Sequence, residues 1–137
     1  MPLHASNNYD GQLSNQRGIH ARFETELFER NEASIVVKPD PPAQVGRTRD
    51  LAFDVLLESN QLVPGLLQAD QKAAEGRETY DDGYFEKLFG LVAPMMQRQL
   101  SLSISRTASL IVSAWTEANK PNLMTPLSRA PQKVNRQ

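Results

Sequence analysis

The sequence predicts an all-α protein, a helical bundle of four to five helices, on three observations. Apolar residues recur at spacings of three and four in several separate segments, the period of one helix face. The one β-branched run, Ile35-Val36-Val37, leads directly into Pro39, Pro41 and Pro42, which cannot donate to a sheet ladder. At 137 residues, 39% of them hydrophobic, the chain has the length of one domain and enough apolar mass for one core.

Taken in order, residues 5–18 read as a loop, because Asn7, Asn8, Asp10, Gly11, Ser14, Asn15 and Gly18 are closely spaced turn formers. A first helix is expected to begin near Ser14 to Gly18 and to run to about Arg30, with Ile19, Phe23 and Leu27 on its buried face. Residues 33–47 break the pattern and read as an extended loop. Thr48 is the expected N-cap of a second helix reaching about Ser59, with Leu51, Val55 and Leu56 facing the core. After a break from Asn60 to Gly65, a short helix is expected over Leu66 to Ala74, ended by Gly76. Asp81-Asp82-Gly83 opens the next helix, where carboxylates suit the N-terminal dipole, and Tyr84, Phe85, Leu88 and Phe89 form its aromatic face. Pro94 predicts a kink or a fresh start, followed by a long helix to about Asn119. Leu100, Ile104, Ala108, Ile111 and Trp115 make its apolar stripe, and Trp115 reads as core. Ser101, Ser103, Ser105, Ser109 and Ser113 offer a small-residue surface for close approach of another helix. Residues 1–120 thus form the expected helical domain, and 121–137, with few apolar residues and several prolines, an expected disordered tail. No internal repeat is evident.

Composition excludes several functions. Basic and acidic residues number 15 and 16, for a net charge of -1, and no basic run stands out, so stable duplex nucleic-acid binding is not expected. Without a single cysteine there is no disulfide framework, no thiolate metal site and no cysteine nucleophile. The N-terminus has no basic stretch followed by an apolar one, so no signal peptide is expected in it. Leu88 to Met96, the longest apolar stretch, is roughly half the ~20 residues of a membrane span, so no membrane-spanning protein is expected.

The chemistry lies near the N-terminus. Both histidines, His4 and His20, fall within the first 20 residues. His20 and Glu24 are four apart on an expected helix, so both side chains leave one face and can reach one ion at roughly 2.0–2.2 Å. His4 would join them if the 5–18 loop folds back. Two His and one Glu is a ligand set of catalytic zinc that leaves one position for water. On spacing alone, such a His-x-x-x-Glu pair is usually just a surface ion pair or a hydrogen bond.

Pro2-Leu3-His4, Asn8-Tyr9-Asp10-Gly11 and Gly18-Ile19-His20-Ala21-Arg22-Phe23-Glu24, read together, resemble the superfamily of zinc-dependent phospholipase C and fungal single-strand-specific nucleases. Ile111 to Pro121, with Trp115 and Ala118, looks like that family's final helix. The resemblance covers residues 1–31 well and the final helix loosely. It implies an all-helical phosphoesterase with a cluster of three zinc ions, in which His4, His20 and Glu24 share one zinc. The family's other ligands, including a His-x-x-x-Asp stretch, precede its Gln-Pro-Leu-His motif, and here Met1 stands where that Gln would be. The resemblance therefore implies the C-terminal half of such a protein, with activity dependent on ligands supplied from outside it. Its members are usually exported and act on phosphoester substrates, phospholipid or nucleic acid.

Other residues carry weaker readings. Asp10 is a hydrogen-bond partner that fixes the tautomer of a ligating imidazole or, more simply, a turn former. Arg22 meets a substrate phosphate or is a solvated helix arginine. Asp81 and Asp82 hold a second metal or sit as helix N-terminal acids. Ser103, Ser105 and Ser109 have no histidine nearby to activate them. Two functions follow: a zinc-dependent phosphoesterase, whose metal affinity is expected to fall below roughly pH 6.5 as imidazoles protonate; or a non-catalytic helical module. The latter would form a homo-oligomer or pair with a separately encoded N-terminal half through an exposed apolar face.

Overall fold

The computed structural model describes residues 1–122, and the expected tail lies almost wholly outside them. The fold is all-α, with no strand among the described residues. Three long helices dominate: α2, Thr48–Gln61; α3, Val63–Ala74; and α4, Asp82–Glu117. A shorter helix, α1, spans residues 19–31, and a 3-10 turn, Pro2–Ala5, opens the chain. No helix among the described residues is long and apolar enough to cross a membrane.

The core forms where α1, α3 and the first half of α4 meet the N-terminal turn. Leu3, Ile19, Phe23, Leu27, Leu66, Ala73, Tyr84, Phe85, Leu88, Val92 and Met96 are buried there in one cluster. The stripe Ile19, Phe23, Leu27 faces this core as the sequence leads one to expect. Arg47, not Thr48, occupies the N-cap position of α2, while Asp81 caps α4 by accepting the amide of Tyr84 at 2.8 Å.

Two interruptions expected from the sequence are smaller than expected: the break over 60–65 shrinks to Leu62 between α2 and α3, and α4 makes no fresh start at Pro94. Val63 and Pro64 belong to α3, because proline in the first helical turn forgoes an amide that has no intrahelical partner. Pro94 lies inside α4, which continues through it for 36 residues. It removes the bond to the Gly90 carbonyl, but both residues are exposed, so water can satisfy that oxygen, and Leu88, Val92 and Met96 hold the opposite face in the core.

The second half of α4 departs furthest from expectation. Ile104, Ile111 and Trp115 are exposed, whereas Ser105, Ser109 and Ser113 are buried. What covers the serines is no helix but the proline-rich connector between α1 and α2. The amides of Lys38, Asp40, Ala43 and Val45 donate to the hydroxyls of Ser101, Ser105, Ser109 and Ser113 at 3.0, 2.8, 3.0 and 2.7 Å. Ser101, Ser105 and Ser109 spend their own protons on the carbonyls of Gln97, Ser101 and Ser105, leaving oxygen lone pairs free to accept. Pro39, Pro41 and Pro42 occupy only positions that donate nothing, so prolines and ladder do not conflict.

Candidate metal centre

The N-terminal turn and α1 bring three donors together. Leu3, fully buried, pins the turn that carries His4, and Asn60 of α2 donates to the Ala5 carbonyl at 2.8 Å. The following loop is closed from within. Asn8, itself buried, donates to Ser14 Oγ at 2.9 Å and accepts the Leu13 amide at 2.7 Å. Gly11 has φ +73°, and a Cβ there would lie 2.3 Å from the Gln16 carbonyl oxygen, so only glycine allows the turn back. Gly18, also left-handed at φ 81°, starts α1 one residue before Ile19 and two before His20.

Within α1 the backbone widens. Residues Arg22–Glu26 form a π-helical segment, in which the Leu27 amide bonds the Arg22 carbonyl. Such segments re-aim side chains and are frequent at functional sites. Here the segment holds Glu24 beside the loop.

His4 Nε2 lies 3.0 Å from Glu24 Oε2, and His20 Nε2 lies 3.6 Å from the same oxygen. His4, His20 and Glu24 are the one group among the described residues with three donors disposed for a metal, their ligand atoms within 4.8 Å of one another. For zinc–donor bonds of about 2.0–2.1 Å, neighbouring donors of a tetrahedron stand about 3.3 Å apart. The two observed distances bracket that edge. The Glu24 side chain is only 12% exposed, and its Oε1 is buried without a hydrogen-bond partner. The imidazoles face Oε2 alone, and Arg22, two residues before Glu24, turns away to Asp70, so Oε1 stays uncompensated. The donor set and the orphaned oxygen both fit a bound divalent cation.

The other sequence candidates are placed elsewhere. Asp10 donates its amide to Gln12 and accepts the Gly18 amide on its carbonyl, closing the loop; its carboxylate makes no hydrogen bond to either imidazole. Asp81 pairs with Arg77 and caps α4, and Asp82 pairs with Arg30 at 2.7 Å. Arg22 is buried and so presents nothing to a substrate phosphate. Its Nε donates to Tyr84 Oη at 3.0 Å and its Nη2 to Asp70 Oδ1 at 3.0 Å, while the Tyr80 ring covers the guanidinium. Tyr84 donates in turn to Asp70, and Gln16 binds the other carboxylate oxygen at 2.7 Å. Burial opposes the charge on Arg22, but the bonds to Tyr84 and Asp70 outweigh it and raise its pKa. Burial, and then the bond to Asp70, pushes the Tyr84 phenol far above its ordinary range.

Two features escaped the sequence reading. Asp70 follows Leu66 and Ala69 on the buried face of α3, and a carboxylate on such a stripe signals a buried partner. Tyr9 bonds His20 Nε2 through its hydroxyl at 2.7 Å and packs its ring 4.1 Å from the imidazole, which loop composition could not announce. Comparison of this chain with protein-family models, characterised proteins and solved structures finds no match.

Proposed function

We propose that this chain holds one zinc ion through His4, His20 and Glu24 and serves as metal-binding part of a zinc-dependent phosphoesterase acting on phospholipid or nucleic-acid esters. The convergence of two imidazoles with a largely buried carboxylate whose Oε1 has no partner carries the reading. Zinc bound there would supply a hydroxide near neutral pH and neutralise charge on phosphoryl oxygens. The chain's own residues hold and orient: the loop locked by Asn8 and Gly11 brings Tyr9 and His4 up to His20, and the Arg22–Asp70–Tyr84 network anchors the π-helical segment.

Calorimetric titration of the protein with zinc tests the reading. A single site is expected, weakened strongly in His20→Ala and in Glu24→Gln. Unchanged binding in both variants would falsify the assignment.

A second reading, a helical module that self-associates, is supported by a separate observation. Leu51, Val55 and Leu56 of α2 and Leu100, Leu102 and Leu110 of α4 line an apolar groove of about 540 Å³. Phe53, Leu57, Ile104 and Ile111 lie exposed on the same two helices. Sedimentation separates the two: a zinc-binding monomer supports the first alone, and a zinc-free dimer the second.

A further inference from the structure

The metal centre as drawn has three protein donors, and a tetrahedral ion takes four. We propose that the Tyr9 hydroxyl is the fourth donor, closing the site in the resting protein; this rests on the zinc reading above. Tyr9 Oη is 2.7 Å from His20 Nε2, the nitrogen that also faces Glu24 at 3.6 Å. Whichever atom donates in that contact, Nε2 bound to an ion has neither a proton to give the phenol nor a lone pair to accept with. The contact therefore rearranges when metal enters. Opening it by about 0.6 Å brings the oxygen to the ~3.3 Å spacing of neighbouring tetrahedral donors, so a hydrogen bond becomes two bonds to a shared cation.

The surroundings permit that shift. Tyr9 follows Asn8, which the loop ties down on both faces of its amide. Its ring is wedged edge-on against His4, centroids 5.0 Å apart, and lies against His20 at 4.1 Å. It is 39% exposed, which leaves a path for the proton. On binding, the phenolic O–H bond breaks, its proton passes to solvent and the oxygen lone pair goes to the cation; no electron is transferred. With Tyr9 in place the vertex that a hydrolytic zinc keeps for water would be taken, and water or a phosphoryl oxygen would reach the ion only by displacing the phenol.

The Tyr9→Phe variant isolates the oxygen, because it keeps the ring packed against both imidazoles; its thermal melt is expected to match the wild type. Zinc affinity, read by competition with a chromogenic chelator, is expected to fall at least about tenfold in Tyr9→Phe. Copper(II) loaded into the wild type is expected to show a visible phenolate-to-copper charge-transfer band that the variant lacks. Equal or tighter zinc binding by Tyr9→Phe, with no such band in the wild type, overturns the role of Tyr9 while leaving the three-donor site standing. No zinc binding by the wild type overturns the site and the role of Tyr9 together.

Discussion

Asp70→Ala tests how far the buried polar network supports the fold. Asp70 is 1% exposed and accepts from Arg22, Tyr84 and Gln16, so its loss leaves a guanidinium, itself 4% exposed, without its anion. Removing one partner of a buried pair costs about 3–5 kcal/mol, because the remaining charge stays desolvated. Domains of this size are stable by only about 5–15 kcal/mol, so the loss is a large share of the total. With a urea m-value of about 1–3 kcal/mol/M, the midpoint followed by circular dichroism should fall by at least about 1 M. The double variant Asp70→Leu/Arg22→Met removes both charges and should recover much of the loss. Arg22 lies in the π-helical turn between His20 and Glu24, so the single variant should also weaken zinc binding. A single variant within about 1 kcal/mol of wild type, or a double variant as unstable as the sum of its singles, refutes the reasoning.

Two more outcomes follow from particular contacts. Ser109→Ala deletes the acceptor of the Ala43 amide; since the connector is exposed, the freed amide finds water, and the local cost is about 0.5–1.5 kcal/mol. Hydrogen exchange at Ala43 should accelerate roughly 2- to 10-fold with little change in global stability, and unchanged exchange counts against the ladder. Tyr84 has a folded pKa raised above its unfolded value of about 10 by burial and the Asp70 bond, so the unfolded state loses its proton first as pH rises. Stability should therefore be constant in this respect below about pH 10 and decline above it, and urea midpoints in Tyr84→Phe should lack most of that decline.

The parts legible in the sequence are those settled within a few residues. The stripe Ile19, Phe23, Leu27 and the cluster Tyr84, Phe85, Leu88 declare their buried faces because helix periodicity is local. His20 and Glu24 share a face for the same reason, but the arrival of His4 depends on a closed loop whose hydrogen bonds no spacing reveals. On the second half of α4, two faces carry a helical period, one apolar and one of serines. Periodicity identifies such faces without saying what covers either, and here the polar one is covered. Val63-Pro64 reads as part of a break because spacing does not reveal that the proline falls in a first helical turn, where it costs nothing; Pro94 reads as one because its local cost is evident and the packing of Val92 and Met96 that outweighs it is not.

The serine ladder also sets a length. Four residues of helix advance about 6.0 Å, and two residues of extended chain about 6.2–6.6 Å, so the rungs at Lys38 and Asp40, and at Ala43 and Val45, mesh with successive serines like teeth of a rack. The one three-residue step contains Pro41-Pro42, where slack can be stored without stranding an amide. Surface connectors ordinarily accept insertions freely; this one is held to gauge by the pitch of its neighbour, and a residue gained or lost within either two-residue step would put a rung out of mesh with its serine.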